Sequence, residues 1–273
     1  MFIRAWYFNG GVPMETLEEE YTPSYCMELE AAYGTGMMSE GGREGIEHMF
    51  EQIPLNGKKA LDIGCGLGGV AFYLAGKYKM HITGLEVNPW MVKESQKRIP
   101  EVLRGHVDFI LSQSNAHWPF NEESFDLLYS KGVLTHIEIK DELFQECFRV
   151  SKPGGLFVIT DWLSSDTKKW GENIAKLVEL EKIPFYPESE SGYIELLNQS
   201  GFDVISVRDD SSVYETYNRD IAKSLQRQKR ENFLSQFDEQ SLKSAIEGYQ
   251  SIIKALEVGE VRILRFVAKK MIS

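Results

Sequence analysis

The sequence is poor in cysteine and histidine and contains no long apolar run. Its three cysteines, Cys26, Cys65 and Cys147, are far apart and form no CxxC pair, which excludes a disulfide framework and a cysteine-rich zinc site. The five histidines include no pair at metal-ligand spacing, so we predict no metal site. The N-terminus has no small-residue cleavage site, and we expect no signal peptide, no transmembrane segment and a cytoplasmic location.

Positively charged residues are also fewer than negatively charged ones. The chain has 30 Lys and Arg residues against 41 Asp and Glu residues, which gives a formal charge of −11. Nucleic acids and anionic membranes would repel such a chain, so neither is expected as its main partner. The 273 residues, 42% of them hydrophobic, suffice for one large globular domain. We expect a small-molecule partner, and the sequence predicts no oligomeric state.

Short apolar runs alternate with helical stretches from Lys58 onwards. Five strand candidates are KALDIG, HITGLEV, HVDFILS, FDLLYS and GLFVITDW, and helices are predicted near 69–78, 89–99 and 139–150. Such alternation is typical of βαβ units in a parallel sheet that is covered on both faces. FDVISVRD and EVRILRFVAKK supply two further strands. We therefore predict an α/β fold with a doubly wound, mostly parallel, seven-stranded, Rossmann-like sheet.

Helical segments accompany this predicted sheet. Residues 1–57 include an amphipathic helix at 46–53 and are predicted to form an N-terminal helical lid. Residues 58–273 are predicted to form the core, with a helical cap at about 165–200 and 211–256. We therefore expect one core domain, with the lid N-terminal to it in the sequence and the cap inserted before its last strand.

A glycine-rich loop joins the first predicted strand to a helix. In ALDIGCGLGG the glycines Gly64, Gly66 and Gly68 allow a tight turn and a close approach of the backbone to a ligand. Gly64, Gly66 and Gly69 also satisfy GxGxxG, the dinucleotide fingerprint. The loop alone therefore leaves two cofactor classes open: a dinucleotide, or a cofactor with a cationic amino group and no pyrophosphate.

Three further features separate these classes. Asp62 lies two residues before the first glycine, where a carboxylate would face a cationic amino group and would repel a pyrophosphate. Glu86 ends the second strand, a position from which it would accept hydrogen bonds from two ribose hydroxyls in either class. Finally, a Lys-Pro-Gly-Gly turn at 152–155 leads from a helix into a strand.

With these motifs in order, the chain resembles the class I S-adenosylmethionine-dependent methyltransferases. The resemblance implies S-adenosyl-L-methionine as the cofactor, with S-adenosyl-L-homocysteine as its product. It also assigns Val87 and Lys131 to the cofactor site. The adenine is expected beside Ser114 and Asn115, although the carboxylate that the family usually has there is missing.

Two segments resemble the phosphoethanolamine (phosphobase) N-methyltransferases more narrowly. They are EYTPSYCMELEAAYGTGMMSEGG at 20–42 and YSKGVLTH at 129–136. The first segment adds Met38 and Ser39 as further contacts to the cofactor. This likeness covers most of the chain from about residue 20, and it is dense only to about residue 162.

The narrower resemblance implies a catalytic pair, Tyr21 and His136. An amine acceptor at neutral pH is largely protonated and must lose a proton before it attacks a methyl group. A histidine with a pKa near 6.5 suits that role of general base. Tyr21 is expected to hydrogen-bond the imidazole and to help close the site.

The likeness fails where the phosphobase enzymes hold the phosphate. Gly132 stands where the family has an aspartate near the amine, and Leu177 and Glu181 stand where it has a tyrosine and an arginine. Glu181 would repel a phosphate by about 4 kcal/mol per unit-charge pair at 4 Å with an effective dielectric of 20. Trp162 is placed to offer a ring face to a methylated ammonium. The predicted acceptor is a small phosphate-free amine contacted by Tyr21, Gly132, Trp162 and Glu181.

Three alternatives remain open at this point. One is a small-molecule O- or C-methyltransferase in which His136 removes a proton from a hydroxyl or an acidic carbon. Another is an NAD-dependent oxidoreductase that uses the same glycines, although Asp62 and the long segment before the loop argue against it. The third is a non-catalytic cofactor-binding module, which the retained Tyr21 disfavours.

Overall fold

The computed structural model describes residues 21–112, 117–165 and 168–272. Its strands are β1 (Lys59–Ile63), β2 (His81–Glu86), β3 (Val107–Leu111), β4 (Phe125–Lys131), β5 (Ser151–Ser164), β6 (Phe202–Asp209) and β7 (Val261–Lys270). They form one seven-stranded sheet in the order β3-β2-β1-β4-β5-β7-β6. The first five strands pair in parallel, and β7 runs antiparallel to β5 and β6. The predicted mostly parallel seven-stranded sheet is confirmed.

Helices flank the sheet and cover one end of it. They are α1 (Pro23–Tyr33), α2 (Gly42–Met49), α3 (Gly69–Tyr78), α4 (Pro89–Lys97), α5 (Asp141–Val150), α6 (Glu172–Glu181), α7 (Glu190–Gln199), α8 (Ser211–Gln226), α9 (Arg230–Leu234) and α10 (Glu239–Glu257). Single 3-10 turns occupy Glu101–Leu103 and Leu134–His136. Within the described ranges, no helix combines the length and the apolarity needed to cross a membrane.

Apolar side chains cover both faces of the sheet. Along β1, Leu61 and Ile63 join the core on one face, whereas Ala60 joins the core on the other. Successive side chains of a strand point to opposite faces. A parallel strand that is buried on both faces therefore has a nearly continuous apolar sequence. This pattern explains why the strands could be located from short apolar runs.

The Lys-Pro-Gly-Gly segment differs from its prediction. We expected a turn between a helix and a strand, but the segment already lies within β5. Phe125 pairs with Ser151 and Leu127 pairs with Leu156, so a bulge in β5 takes up the residues between them. Gly154 supplies the positive φ, 78°, at this irregularity.

A third apolar cluster joins the cap to the sheet. Leu177 of α6, Tyr214 of α8 and Tyr249 of α10 pack with Trp162 of β5 and Ile263 of β7. Helix α1 contributes to the same cluster. The cap and the lid therefore share one core above the carboxyl ends of β4 and β5.

The cap differs from its prediction in two ways. The stretch predicted over 211–256 consists of three helices, and the last begins where the Asp238 side chain accepts a hydrogen bond from the Ser241 N–H at 2.8 Å, a typical N-cap. Helix α7 was assigned to the cap, but its Tyr193 and Leu197 pack into the sheet core. Residues 172–181 and 211–257 thus form the cap.

Candidate active site

The glycine loop between β1 and α3 has the backbone that its sequence predicts. Gly64, Gly66 and Gly68 have φ values of 72°, 52° and 83°, in the left-handed region that glycine adopts readily. A Cβ at Gly68 would lie 2.5 Å from the Phe109 ring. A Cβ at Gly64 would lie 2.4 Å from Val133. The loop therefore needs glycine for its own packing, and it leads directly into the N-terminus of α3.

Asp62 lies buried beneath this loop with a solvent exposure of 4%. Its Oδ2 atom has no hydrogen-bond partner in the described part of the chain. Burial raises the pKa of Asp62 to about 8; the Tyr129 hydroxyl opposes this rise and Glu86 adds to it. A buried polar atom without a partner is unfavourable. The ammonium group of a bound cofactor would supply that partner, so Asp62 fits its predicted role.

Glu86 ends β2 beside the same loop. Its Oε2 accepts a hydrogen bond from the Gly66 N–H at 2.9 Å, and its Oε1 accepts from Val87 and Asn88 at 2.8 and 3.0 Å. Burial raises the pKa of Glu86, and these three donors oppose the rise. Each carboxylate oxygen can accept more than one hydrogen bond. Glu86 is thus held in place by three backbone N–H groups, one of them that of Val87. Its contact with a diol stays a prediction.

The segment that follows α1 lies on the glycine loop. The Gly69 N–H donates to the Gly36 carbonyl at 3.0 Å. Met38 covers Gly66 closely enough that a Cβ there would lie 2.9 Å from the Met38 side chain. These contacts bring Gly36 and Met38 against the glycine loop. The role of Met38 at the cofactor and that of the segment as a lid stay predictions.

Tyr21 and His136 meet above β4, as the resemblance implies. The Tyr21 hydroxyl lies 3.4 Å from His136 Nε2, and His136 Nδ1 lies 2.8 Å from the Pro184 carbonyl oxygen. A carbonyl only accepts, so Nδ1 carries the hydrogen and Nε2 of the neutral ring is an acceptor. The Asn88 side chain donates to the Tyr21 carbonyl at 3.2 Å and holds that end of the lid.

The electrostatic setting of His136 corrects one expectation. Burial lowers the pKa of His136 from 6.5 to about 4, the contact with Pro184 opposes this change, and Lys140 adds to it. We expected an ordinary value near 6.5. The imidazole is instead neutral throughout the physiological range, with Nε2 ready to accept a proton, and it is a weaker base than we assumed.

Residues 184–186, in the connection between α6 and α7, contact His136. The Tyr186 N–H donates to the Thr135 carbonyl at 2.7 Å. The Phe185 ring lies edge-on to the imidazole, with 4.8 Å between the centroids. With the Pro184 carbonyl, these contacts orient the ring. Sequence analysis missed this segment because nothing in residues 184–186 signals a contact with a histidine 48 positions earlier.

Lys131 joins the lid to the end of β4. Its Nζ donates to Ser39 Oγ at 2.7 Å and to the Glu40 carbonyl at 2.8 Å, and it lies 5.5 Å from the centroid of the Tyr214 ring. Burial lowers the pKa of Lys131 to about 8, and Glu40 opposes this change. Lys131 and Ser39 were predicted to contact the cofactor. The structure brings both to a cavity that they share with two predicted substrate residues, Gly132 and Trp162, and their contact with the cofactor stays a prediction.

This cavity lies above β4, β5 and β7 and is small, with room for about one water molecule. Gly132 borders open space, since a Cβ there would have Ser39 as its nearest neighbour, at 3.9 Å. The lining residues come from the lid, the strand ends and α8, and they are Ser39, Glu40, Lys131, Gly132, Thr160, Trp162, Tyr214 and Ile263. Among the described residues, no group of His, Cys, Asp and Glu is arranged to hold a metal ion.

Glu181 lies at the end of α6 beside these elements. Burial raises the pKa of Glu181 to about 7, Glu40 adds to the rise and the Tyr25 hydroxyl opposes it. Glu40 itself is 4% exposed and was not predicted, although an acidic residue between Ser39 and two glycines was a visible signal. Ser114 and Asn115, predicted for the adenine, lie outside the described residues.

Comparison with known proteins agrees with this geometry. Residues 61–159 match the family model of a methyltransferase domain. Phosphoethanolamine N-methyltransferase 1 of Zea mays is 27% identical over 265 residues, covering 96% of this chain and 51% of the relative. Phosphoethanolamine N-methyltransferase of Plasmodium falciparum is 28% identical over 241 residues, covering 86% of this chain and 87% of the relative. The chain thus spans about half the length of the plant relative.

A solved structure shares the fold. Phosphoethanolamine N-methyltransferase 2 of Haemonchus contortus, in complex with S-adenosyl-L-methionine, superposes with a TM-score of 0.85 at 21% identity, over 98% of this chain and 62% of that one. The sheet order and the glycine loop are those of the class I S-adenosylmethionine-dependent methyltransferase fold, and residues 61–159 match a methyltransferase domain. Over most of its length the chain is related to the phosphoethanolamine N-methyltransferases. The oxidoreductase alternative receives no support.

Proposed function

We propose that the protein N-methylates a small amine that carries no phosphate, with His136 as the general base and Tyr21 as its partner. The observation that carries the proposal is the fixed, neutral imidazole, whose Nε2 faces Tyr21 while Nδ1 faces a carbonyl. S-adenosyl-L-methionine supplies an electrophilic methyl group for in-line displacement. Asp62, Glu86 and the glycine loop are the residues that would hold it.

The chain's own residues handle the proton. An ammonium acceptor gives up a proton to His136 Nε2, either directly or through the Tyr21 hydroxyl, and its lone pair then becomes available for attack. The imidazolium that forms is stabilised by the Pro184 carbonyl, which accepts from Nδ1 at 2.8 Å. The lid contacts at Gly36 and Met38 exclude water from the reacting groups.

Glu40 and Glu181 support an acceptor without phosphate. Glu40 is buried, and it adds to the rise that takes the pKa of the half-buried Glu181 to about 7. A phosphate brought to 4 Å from one such carboxylate would be repelled by about 4 kcal/mol per unit-charge pair at an effective dielectric of 20. The same groups attract an ammonium ion.

Transfer of a labelled methyl group from S-adenosyl-L-methionine tests this proposal. Phosphoethanolamine would be offered beside ethanolamine, glycine, sarcosine and dimethylglycine. We expect labelling of at least one phosphate-free amine and background labelling of phosphoethanolamine. The His136→Gln variant should lose about 100-fold or more in kcat while it still binds S-adenosyl-L-homocysteine in calorimetry. His117→Gln, at an exposed histidine, is the matched control. Preferred labelling of phosphoethanolamine would contradict the proposal.

A further inference from the structure

The 3-10 turn that carries His136 fixes the backbone of this residue but not its ring. The His136 N–H donates to the Val133 carbonyl at 3.0 Å, and the Ile137 N–H donates to the Leu134 carbonyl at 3.0 Å. The imidazole can still rotate about its side-chain bonds. A general base must be presented in one orientation and as one tautomer. Contacts from outside the turn therefore have to set the direction of the ring.

The backbone of residues 184–186 supplies such contacts. The Pro184 carbonyl accepts from His136 Nδ1 at 2.8 Å, and the Tyr186 N–H donates to the Thr135 carbonyl at 2.7 Å. The segment is thus tied to the turn at both of its ends. Without the carbonyl beside Nδ1, the hydrogen of the neutral ring could occupy Nε2 instead, and Nε2 could then no longer accept a proton.

This segment has no regular secondary structure of its own. Residues 182–189 belong to no helix or strand, so no helical or sheet ladder holds their backbone. Such a connection keeps one conformation only where other parts of the chain bind its polar groups. The middle carbonyl, that of Phe185, accepts a hydrogen bond from Trp170 Nε1 at 2.9 Å. Trp170 therefore binds the segment at the residue between its two contacts with the turn.

Aromatic packing adds to this hydrogen bond. The centroid of the Phe185 ring lies 6.5 Å from that of Trp170, with the ring planes at 84°, and 5.5 Å from that of Trp162. The same ring lies 4.8 Å from the imidazole of His136. Edge-on and tilted pairs are favourable at centroid distances of about 4.5–7 Å. Phe185 thus contacts two indole rings and the imidazole.

Trp170 acts on the imidazole at one remove. It lies two residues before α6 and is half-buried. Within the described part of the chain, its indole contacts Phe185 rather than His136. A change at Trp170 would therefore reach the base through the 184–186 segment.

We infer that Trp170 is a positioning residue for the proposed general base. Its indole N–H holds the Phe185 carbonyl, which fixes the Pro184 carbonyl one residue earlier. The Pro184 carbonyl in turn keeps the hydrogen of the imidazole on Nδ1, so that Nε2 of His136 is able to accept a proton. This inference rests on the proposed function and names a residue that orients its base.

The Trp170→Phe variant tests the inference, because it keeps an aromatic ring and removes the N–H donor. The assay uses the amine that the wild type labels fastest among ethanolamine, glycine, sarcosine and dimethylglycine. We expect kcat to fall about three- to tenfold and the affinity for S-adenosyl-L-homocysteine to stay within about twofold. Trp118→Phe is the matched control, since Trp118 is buried in the sheet core. It should leave kcat within about twofold of the wild type.

NMR of the protein with isotopically labelled histidine separates positioning from folding. The nitrogen shifts distinguish the two tautomers of a neutral imidazole, and the signal of His136 is identified by its loss in His136→Gln. We expect the hydrogen on Nδ1 in the wild type and in Trp118→Phe. In Trp170→Phe we expect a mixture of the two tautomers. A merely structural role of Trp170 would lower the free energy of unfolding without changing the tautomer.

The outcomes distinguish the inference from the proposed function. If Trp170→Phe keeps the tautomer of the wild type, the inference is overturned, whether or not kcat falls. A loss of about 100-fold in the kcat of His136→Gln would in that case leave the proposed function intact. Full activity of His136→Gln, or hydrogen on Nε2 in the wild type, would overturn both.

Discussion

Replacement of His136 by glutamine removes an imidazole that burial keeps neutral. In the folded protein, burial lowers the pKa of His136 from 6.5 to about 4. Between these two pH values the unfolded chain therefore binds more protons than the folded chain. The free energy of unfolding must fall as the pH drops from 6.5 towards 4. Above pH 6.5 both states hold a neutral imidazole, and this contribution disappears.

The difference between the folded and unfolded pKa of His136 sets the size of the effect. Far below both pKa values the loss of stability reaches about 3 kcal/mol. At pH 5 the folded imidazole is still largely neutral while the unfolded one is protonated, and the loss is about 2 kcal/mol. The His136→Gln variant lacks this linkage. Relative to the wild type, its free energy of unfolding should rise by about 2 kcal/mol between pH 7.5 and pH 5.

Urea unfolding at the two pH values measures this difference directly. The wild type, His136→Gln and the control variant His117→Gln would be compared, since His117 is exposed. Because the comparison is between two pH values, any pH-independent effect of the glutamine on the free energy of unfolding cancels. An identical pH dependence for the wild type and His136→Gln would refute the reasoning that burial holds this base neutral.

Three further predictions concern the cofactor loop and the catalytic pair. Asp62→Asn should weaken binding of S-adenosyl-L-homocysteine by roughly 5- to 150-fold in calorimetry, because an amide replaces the buried carboxylate. Gly68→Ala should lower the free energy of unfolding by about 2–4 kcal/mol in urea, since its φ is 83° and the new Cβ would lie 2.5 Å from Phe109. Tyr21→Phe should lower kcat about tenfold in the methyl-transfer assay with little change in cofactor affinity.

Each of these variants has a matched control in the chain. Asp108→Asn changes an exposed carboxylate on β3, and Gly76→Ala adds a Cβ that would have no neighbour within 4 Å. Tyr78→Phe removes a hydroxyl at the end of α3. The first prediction is contradicted if Asp62→Asn leaves the cofactor affinity unchanged. The second is contradicted if Gly68→Ala and Gly76→Ala are equally stable, and the third if Tyr21→Phe and Tyr78→Phe have equal kcat.

The strands and the cofactor loop could be read from local sequence. Parallel strands are buried on both faces, so each leaves a short apolar run such as KALDI, and the confirmed seven-stranded sheet follows from the alternation of such runs with helices. The backbone at Gly64 and Gly66 is likewise a local property, because their positive φ values are accessible mainly to glycine. Asp62 and Glu86 follow from their places at strand ends.

The acceptor side of the site was only partly predictable. Tyr21 and His136 were located by resemblance, and their meeting at 3.4 Å agrees with the pair that we expected, although its catalytic role stays a prediction. Lys131 was assigned to the cofactor by the resemblance. In the fold its side chain contacts Ser39 and lines the cavity above β4, β5 and β7.

Sequence alone determined the class of fold, the cofactor loop and the identity of the proposed base, since each depends on residues close together in the chain. Tertiary structure decided the protonation of His136 and the partner role of Pro184. It also decided that the hydroxyls of Thr160 and Tyr214 have no hydrogen-bond partner in the described part of the chain. These properties depend on burial and on contacts between segments that are distant in sequence. Desolvation and hydrogen bonding act through space, so no local pattern records them.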